Sequence, residues 1–473
     1  MSTLWTHTEA SKATGGKAYG AWQANGVSID SRTAKAGDLF VAIKGLNSDG
    51  HDYVTSAIAR GAAAAMVTQR RANWDKNMPL LEVPDANLGL SALGQFARQR
   101  LSKKGRIIGV TGSVGKTGIK EALRHCLSQQ APTSATKGNL NNKWGLPLSL
   151  ARMPASTVYG IFEMGMNCSG EISSLSKILK PEIAIISNIE AVHIEFFDSV
   201  DDIANAKAEI FHGMGKNGIA ILNRDNHYFK KLENQAEIAH LSEVISFGSS
   251  KNADARLLNF NLEANFTTVE ADIFGEILKY QIGVPGDHWA LNSLAVLAAV
   301  KASGGNIFLA ADSLREMPQL KGRGEQTKIS MPDGDFILID ESYNASPVSV
   351  RAALKVLSNM QPSPPGRRIA VLGDMLELGD CSNKLHAELA VEIEEAGVDV
   401  VFTVGNRMAA LAKKLPGQII SWHEITSDKI IPKVVSEVRA GDVITIKGSF
   451  GSRMGLVADA LRTLCKDKRE EFK

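Results

Sequence analysis

Short apolar runs alternate with amphipathic stretches along most of the chain, and this alternation predicts strands that are each followed by a helix. In the first block, up to about residue 84, the apolar runs are broken by Gly and Asp, which indicates a small α/β module. Its predicted elements are strands at residues 27–30 and 39–43 and an alanine-rich helix at 53–65.

Two further blocks repeat the alternation. The second block begins with a predicted helix at residues 88–101, and its predicted strands are at 158–162, 183–187 and 218–222. The third block starts near residue 319, and its predicted strands are at 336–339, 368–372, 400–404 and 443–446. Because strands joined through helices pair in parallel, we expect two mostly parallel sheets. The sheet of the third block should be doubly wound, with ligands at the carboxyl ends of its strands.

The strongest chemical signal lies at residues 106–122, where an apolar strand runs into a glycine-rich loop and then into a helix. The glycines let the backbone turn tightly and aim its N–H groups at phosphate oxygens, which the helix N-terminus also attracts. Lys116 is expected to reach the terminal phosphates, and the Thr117 hydroxyl to hold Mg²⁺. The predicted phosphate site comprises Gly112, Ser113, Val114, Gly115, Lys116 and Thr117.

This loop departs from the strict P-loop consensus at one position. Val110 stands six residues before the lysine, where the consensus places its first glycine, and Gly109 and Gly112 lie on either side. A plain strand–turn–helix corner rich in glycine is the alternative reading. The preceding strand, the Lys-Thr pair and the following helix together favour the phosphate loop.

Composition limits the class of protein. The 44% apolar and 22% charged residues are ordinary for globular domains. The length of 473 residues allows about three domains of ~150 residues. A net charge of +2 gives no general electrostatic reason to expect nucleic acid or an acidic membrane as a partner.

The cysteines and the apolar segments indicate a cytoplasmic protein. The N-terminus lacks the pattern of a signal peptide, and the most apolar helical stretch, 289–300, is too short to span a bilayer. The cysteines lack C-x-x-C spacing, so we expect reduced thiols rather than a zinc site. They are Cys126, Cys168, Cys381 and Cys465.

Three polar residues stand out in the second block. Glu163 follows a buried strand, His193 lies in a loop after another strand, and Lys207 lies between alanines on a predicted helix. A carboxylate at the first position suits a second metal contact. A lone loop histidine is more often solvated, and a helix lysine is more often exposed, so neither is a strong signal alone.

Together these segments resemble the Mur ligase family along nearly the whole chain. The segments that carry the resemblance, in chain order, are GVTGSVGKTGIKEAL, GNLNNKWGLPLSL, EMGMN, the His193 loop, ANAKAEIF, GDHWALNSLAVLAA, GRGE, LIDESYNASP and LGDMLELG. GNLNN and the last two segments resemble the branch that adds D-alanyl-D-alanine to UDP-N-acetylmuramoyl-tripeptide. The resemblance implies an ADP-forming ligase of cytoplasmic peptidoglycan synthesis that uses ATP and Mg²⁺ and acts through an acyl phosphate.

The resemblance also implies roles for individual residues. Thr117 and Glu163 match one Mg²⁺ site of the family, and His193 with Lys207 matches a second, where the lysine is carbamylated. The residues expected to carry catalysis are therefore Lys116, His193 and Lys207. The implied nucleotide contacts beyond the phosphate loop are Asn292, Arg323 and Asp340, and the last of these matches an acidic residue that holds the ribose or orients the closing domain. The implied substrate contacts are Ser31, Arg32, Asn139, Asn142, Tyr343 and Asn344.

The expected fold class is α/β with three domains. They are a UDP-substrate-binding module at 1–84, a central P-loop ATPase-type parallel sheet at 85–318, and a Rossmann-like doubly wound ligase domain at 319–473. The third domain is expected to close over the site about a hinge at 320–324. In the SYNASP segment, where the family has SYNANP, Ser346 is expected to cap the helix that follows.

Three other functions remain open from the residues. A sister ligase that adds a single amino acid, including a folylpolyglutamate-synthase-like enzyme, shares the loop and the lysine. A P-loop kinase or motor uses the same phosphate cradle, and a non-catalytic nucleotide switch is the third possibility. The expected partners are the UDP-tripeptide and D-alanyl-D-alanine, without nucleic acid, and we expect a monomer.

Overall fold

The computed structural model describes residues 3–45 and 47–464, so Cys465 lies outside the described part of the chain. Cys126, Cys168 and Cys381 are free thiols, as predicted, and burial raises the pKa of the Cys126 thiol to about 11. Within the described ranges, no helix is long and apolar enough to cross a membrane.

The N-terminal block is a small sheet with helices. Its elements are β1 (Trp5–Thr6), α1 (His7–Thr14), β2 (Lys17–Tyr19), β3 (Gln23–Ala24), β4 (Gly26–Ser28), β5 (Asp38–Val41), α2 (Val54–Ala59), β6 (Ala64–Val67) and β7 (Leu80–Glu82). The helix α3 (Ala86–Gln99) follows and begins the central block. The sheet order is β2-β7-β6-β5-β4, with β2 antiparallel to β7 and the other neighbours parallel.

The predicted helix at 53–65 is wrong in its second half. The helix α2 ends at Ala59, and Gly61 then adopts a left-handed conformation with φ +94°. The alanines that follow enter β6, in which every residue is buried. An alanine-rich sequence suits a helix by propensity, but here burial in the sheet decides its conformation.

The central block contains the largest sheet. Its elements are β8 (Arg106–Thr111), α4 (Lys116–Ser128), β9 (Thr133–Ala135), α5 (Gly145–Ala151), β10 (Tyr159–Glu163), α6 (Glu171–Leu179), β11 (Ile183–Ile186), α7 (Val200–Ala208), β12 (Ile219–Asn223), α8 (Phe229–Ile238), β13 (Glu243–Gly248), β14 (Ala255–Leu262), β15 (Thr267–Ile273), β16 (Glu276–Ile282), α9 (Asp287–Ala302) and α10 (Ile307–Ser313). The order is β16-β15-β14-β13-β12-β11-β8-β10-β9.

The prediction of a mostly parallel central sheet is confirmed. The strands from β9 to β14 pair in parallel, and β15 and β16 extend the sheet with antiparallel pairs that the sequence analysis missed. The most apolar helix, α9, is buried on most of its surface because it packs between α4 and the sheet. The phosphate loop, which joins β8 to α4, therefore lies at the carboxyl edge of a rigid, densely packed sheet.

The C-terminal block is doubly wound, as predicted. Its elements are β17 (Glu325–Met331), β18 (Gly334–Glu341), α11 (Pro347–Asn359), β19 (Arg368–Gly373), α12 (Ser382–Glu395), β20 (Val400–Val404), α13 (Ala409–Ala412), β21 (Ile420–Glu424), α14 (Ser427–Glu437), β22 (Val443–Lys447) and α15 (Gly455–Thr463). The order is β17-β18-β22-β19-β20-β21, and only the β17–β18 pair among these described strands is antiparallel.

Helices cover both faces of this sheet. One core packs α11 and α12 on the sheet, and a second core packs α14 and α15 on the opposite face. Ser346 caps α11 by accepting a hydrogen bond from the backbone N–H of Ser349, with Pro347 at the first helical position, which confirms the predicted cap. We propose domain boundaries at 1–84, 85–318 and 319–473, because each of the three large sheets lies within one of these segments.

Candidate active site

A cavity of about 1560 Å³ lies where the three blocks meet. The N-terminal block contributes Lys44, the central block contributes Asn87 and the phosphate loop, and the C-terminal block contributes Arg323 and Tyr343. The cavity opens at the carboxyl ends of the central parallel strands, which is the usual ligand position in such sheets. Its volume is larger than that of a usual single-ligand pocket, and several charged side chains line it.

The phosphate loop is held tightly against the end of β11. Gly112 has φ +141°, and a Cβ on this residue would lie 2.0 Å from the Ser187 hydroxyl. The Ser113 backbone N–H donates to the Asn188 carbonyl at 2.8 Å, and the Ser187 hydroxyl donates to the Thr111 and Val114 carbonyls. Only glycine fits at position 112, so the loop conformation is set by the sequence.

Lys116 is folded back onto this loop. Its Nζ donates to the Gly112 carbonyl at 2.6 Å and to the Ser113 carbonyl at 3.0 Å. Burial lowers the pKa of the Lys116 ammonium, the nearby Glu163 carboxylate opposes that shift, and the Arg323 charge adds to it. A desolvated cation on a glycine-rich loop at the N-terminus of a helix suits an anionic ligand such as a phosphate group.

Glu163 and Thr117 form a direct pair at the edge of the cavity. The Thr117 hydroxyl donates to Glu163 Oε2 at 2.8 Å, and the Asn141 amide donates to Glu163 Oε1 at 2.7 Å. Glu163 is buried at the end of β10, and both Thr117 and Glu163 line the cavity. A hydroxyl and a carboxylate oxygen this close together are the donor types that Mg²⁺ prefers, so the predicted first site fits the ion.

Lys207 is buried on α7 and lines the same cavity. Burial lowers the pKa of its ammonium well below the usual range, and the Lys116 charge lowers it further, against the carboxylates of Glu163, Glu209 and Glu171. An amine that loses its proton readily suits carbamylation, because carbon dioxide reacts with the neutral amine. The carbamate would supply the oxygen ligand that an ammonium cannot.

His193 lines the cavity in a left-handed conformation with φ 62°. Its Nδ1 forms an ion pair with the carboxylate of Glu377, which belongs to the C-terminal block. The His193 imidazole lowers the pKa of the Glu377 carboxyl. Within the described residues, no cluster of three or more His, Cys, Asp and Glu side chains could hold a metal. The second predicted site thus fits Mg²⁺ only if Lys207 carries the carbamate oxygens.

The predicted nucleotide contacts separate into two groups. Asn292 and Arg323 line the cavity, and the Arg323 guanidinium lies over the Tyr343 ring, 4.0 Å from its centroid. Asp340 lies outside the cavity lining and is 1% exposed. Its carboxylate accepts hydrogen bonds from Arg462 at 2.8 Å and from the Ser342 backbone N–H at 3.0 Å. Asp340 therefore joins the end of β18 to α15.

The predicted substrate contacts also separate. The four that line the cavity are Asn139, Asn142, Tyr343 and Asn344. Ser31 and Arg32 lie outside its lining, in the turn after β4. Arg32 pairs with Asp30 at 2.7 Å, and the Ser31 carbonyl accepts a hydrogen bond from Arg60 at 2.9 Å.

Several cavity residues were missed by the sequence analysis. Lys447, at the end of β22, is 3% exposed and donates to the Asn344 carbonyl at 3.0 Å and to Glu341 at 3.2 Å. Lys355 forms a 2.7 Å ion pair with Asp287 and so joins the C-terminal block to the central block. Lys447 could have been found from the sequence, because it directly follows the predicted strand at 443–446. Glu163 was found in the same way, since it directly follows the predicted strand at 158–162.

Comparisons with known proteins agree with this geometry along the chain. Residues 23–100 match the Mur ligase family catalytic domain, residues 110–300 match the Mur ligase middle domain, and residues 322–450 match the Mur ligase glutamate ligase domain. A UDP-N-acetylmuramoyl-tripeptide–D-alanyl-D-alanine ligase from Rickettsia prowazekii is 36% identical over 96% of this chain and 99% of the relative.

Solved structures of MurF proteins share the fold. A MurF from Acinetobacter baumannii has a TM-score of 0.83 and 29% identity, over 97% of this chain and 98% of that one. A MurF from Thermotoga maritima in complex with ADP has a TM-score of 0.75 and 26% identity, over 94% of this chain and 98% of that one. The matches cover all three blocks in order, and the chain belongs to the Mur ligase family.

Proposed function

We propose that this protein is an ATP-dependent, ADP-forming ligase that joins D-alanyl-D-alanine to UDP-N-acetylmuramoyl-tripeptide in peptidoglycan precursor synthesis. The observation that carries the proposal is the single cavity, bounded by all three blocks, on which the phosphate loop, the Thr117–Glu163 pair and the buried Lys207 meet. The relatives that bear this activity in their names match nearly the whole chain. We propose that it acts in the cytoplasm as a monomer.

The phosphate loop is proposed to bind the ATP phosphates. Its backbone amides and the N-terminus of α4 attract the anion, and Lys116 exchanges the Gly112 and Ser113 carbonyls for phosphate oxygens. Asn292 and Arg323 line the cavity beside the loop and are proposed to contact the rest of the nucleotide. The planar Arg323 guanidinium lies over the Tyr343 ring, and both residues line the cavity.

Two groups of residues are proposed to hold Mg²⁺. Thr117 and Glu163 would hold one ion, and His193 with a carbamylated Lys207 would hold the second. Bound Mg²⁺ would neutralise negative charge on the transferring phosphoryl group. The low pKa that burial imposes on Lys207 supports the modification, because it keeps the amine neutral over a wider pH range.

The chemistry needs an activated carboxyl group, because a carboxylate is a poor acyl donor. A terminal oxygen of the tripeptide carboxylate attacks the γ-phosphorus of ATP, which forms an acyl phosphate and releases ADP. The neutral dipeptide amine then attacks the acyl carbon, the carbon–oxygen bond to phosphate breaks, and the nitrogen gives up a proton to the departing phosphate as the amide forms. Lys116 stabilises the charge that develops on the phosphoryl oxygens.

Exclusion of water is the second requirement, since water hydrolyses an acyl phosphate. The C-terminal block supplies Tyr343, Asn344 and Lys447 to the wall of the cavity that the phosphate loop also lines. We propose that this block closes over the bound nucleotide about a hinge at 320–324, where Gly322 and Gly324 have φ +73° and +87°.

Mass spectrometry of the product tests the function. ATP, UDP-N-acetylmuramoyl-tripeptide and D-alanyl-D-alanine should give the pentapeptide product, and omission of the dipeptide should give none. A Lys116→Met variant is the matched control and should form no product. A product extended by one amino acid, with the dipeptide unused, would instead indicate a sister ligase.

An isotope experiment tests the intermediate. Oxygen-18 in the terminal carboxylate of the tripeptide should appear in the released phosphate, because the carboxylate oxygen that attacks phosphorus leaves with it. Label that stays wholly in the peptide product would contradict the acyl-phosphate route.

A further inference from the structure

Lys120 is a buried lysine that the proposed mechanism does not use. It lies on α4, one helical turn after Lys116, and its side chain is 0% exposed. A buried ammonium is stable only where its charge and its donors are satisfied. Here its Nζ donates to the Thr136 carbonyl at 2.9 Å and to the Gly138 carbonyl at 3.3 Å, and it pairs with Glu121 at 2.8 Å.

Three donors therefore meet three oxygen acceptors, two of which belong to one loop. Thr136 and Gly138 begin the segment between β9 and α5, and the residues of this segment that line the cavity are Asn139, Asn141, Asn142, Lys143 and Trp144. Gly138 has φ +57°, so the chain turns sharply just after the first Lys120 contact. Lys120 thus fixes the base of a loop whose tip faces the ligand cavity.

The tip of this loop connects back to the helix that carries Lys120. The Asn141 amide donates to Glu163 Oε1 at 2.7 Å, and Glu163 Oε2 accepts from the Thr117 hydroxyl at 2.8 Å. Thr117 lies three residues before Lys120 on α4. The contacts form a closed ring from Lys120 through the loop to Glu163 and back to the helix.

We propose that Lys120 is a positioning residue that holds the 136–142 segment, and through Asn141 sets the orientation of the Glu163 carboxylate. Without Nζ, the buried Thr136 carbonyl and the more exposed Gly138 carbonyl lose a charged donor, which favours a more open loop. The Asn141 side chain is then no longer held in the position from which it donates to the Glu163 carboxylate. The predicted effect on reaction rate rests on the proposed function, whereas the predicted effect on the loop rests on the structure alone.

Two variants and one matched control test the inference. Lys120→Met keeps much of the side-chain volume and removes every donor, and Lys120→Gln is a milder change that serves if the first variant does not fold. Arg124→Met is the control, because Arg124 is the other partner of Glu121, at 2.7 Å, and its side chain is 42% exposed. Its guanidinium donates to Glu121, and Arg124 is not among the residues that line the cavity.

Hydrogen–deuterium exchange followed by mass spectrometry is the first measurement. We expect exchange in 136–142 to rise at least tenfold in the Lys120 variants, with exchange in the N-terminal and C-terminal sheets unchanged. Arg124→Met should exchange like the wild type. Wild-type exchange at 136–142 in Lys120→Gln, or a rise spread evenly over the whole chain, would overturn the inference.

Kinetics of the intact enzyme are the second measurement. A positioning role predicts that the Mg²⁺ concentration for half-maximal rate rises at least tenfold in the Lys120 variants. A purely structural role would lower kcat through a smaller folded fraction and leave that concentration unchanged, which would overturn the inference. If the wild type makes no amide product, the proposed function fails, and the exchange result alone decides the role of Lys120.

Discussion

Glu377 of the C-terminal block forms an ion pair with Nδ1 of His193, in the loop that follows β11 of the central block. The Glu377 carbonyl also accepts a hydrogen bond from the Glu195 backbone N–H at 3.4 Å, and Lys355 pairs with Asp287 at 2.7 Å. Both ion pairs lie beside the cavity and join the blocks that build it. The position of the C-terminal block is thus coupled, through the contact of Glu377 with His193, to a residue proposed to bind Mg²⁺.

Loss of both ion pairs should favour a more open arrangement. Each partly exposed pair is worth up to about 1 kcal/mol, so the double variant Glu377→Gln/Lys355→Met should have a larger radius of gyration than the wild type by small-angle scattering. A nucleotide analogue with substrate should make both proteins equally compact. Lys328→Met removes an ion pair within the C-terminal block, to Asp335, and should change nothing. Identical profiles for the free wild type and the double variant would contradict the coupling.

Two substitutions of Thr117 distinguish the role of its hydroxyl from the role of its side-chain shape. Thr117→Val keeps the volume but removes the donor to Glu163, so we expect kcat to fall at least about 100-fold, or ~2.7 kcal/mol in barrier. Thr117→Ser keeps the hydroxyl and should retain most of the activity. Steady-state rates over a range of Mg²⁺ concentrations provide the measurement. Equal activity of the two variants would remove Thr117 from the proposed metal site.

Carbamylation of Lys207 predicts chemical rescue. Lys207→Ala should be inactive, and added formate or acetate should restore part of the rate, because a small carboxylate can supply the missing oxygen ligands in the space left by the side chain. Lys216→Ala, on the exposed surface, should be fully active and insensitive to these acids. Two results together would rule out the carbamate: a measured mass of the intact wild type that lacks one bound carbon dioxide, and no rescue of Lys207→Ala by these acids.

Strands were predicted well where both faces are buried. The strand β20, Val400–Val404, is buried at every position, and its bounds match the prediction to the residue. Strands buried on both faces are apolar at nearly every position, so a continuous apolar run in the sequence identifies them. In β15 only alternate positions are fully buried, from Thr267 to Ile273. This period-two signal was present in the sequence, but the segment lacks the long apolar run that marked the parallel strands.

Site residues were predicted where a motif fixes local geometry. Lys116 and Thr117 follow from the loop that carries them. The contact of Glu377 with His193 and the contacts of Lys120 with Thr136 and Gly138 could not be predicted, because they join different elements and depend on how the chain packs. A lysine on an amphipathic helix usually indicates an exposed face, so only the folded chain distinguishes Lys120 from the exposed Lys177 on α6.

His386 should make the stability of the C-terminal block depend on pH. Its side chain is fully buried, its Nε2 accepts a hydrogen bond from the Met375 backbone N–H at 2.9 Å, and its Nδ1 lies 2.7 Å from the Ser382 carbonyl. Burial lowers the pKa of His386, against the raising effects of Ser382 and Asp374. The unfolded chain therefore binds the proton more readily, so the full stability is present above the unfolded pKa of about 6.5 and falls as pH drops toward the folded pKa.

Urea unfolding between about pH 5 and pH 8, the range in which histidine titrates, measures this effect. In His386→Gln the amide can accept from Met375 and donate to Ser382 without a change of charge. The free energy of unfolding should thus fall less steeply with acid in the variant than in the wild type. Equal pH dependence in the two proteins would show that His386 does not cause the loss.

Asp340 should contribute to stability as well as to catalysis. The resemblance assigned it either to the ribose or to the orientation of the closing domain, and its contacts with Arg462 and Ser342 favour the second role. Asp340→Ala leaves a buried backbone N–H without its acceptor and removes one partner of Arg462, which also pairs with Glu325 at 2.6 Å. We expect a loss of about 2 kcal/mol, or roughly 4–8 °C in Tm.

The matched variant Arg462→Met separates the two roles, because Arg462 meets the same carboxylate from α15 and, like Asp340, lies outside the cavity lining. If Asp340 acts only through this ion pair, both single variants should lower Tm, and the double variant should lose less than the sum of the two, since residues in one network are not additive. The KM for ATP should then change equally in both. A rise of tenfold or more in KM with Asp340→Ala alone would instead assign the carboxylate to the nucleotide, because Arg462→Met leaves that carboxylate in place.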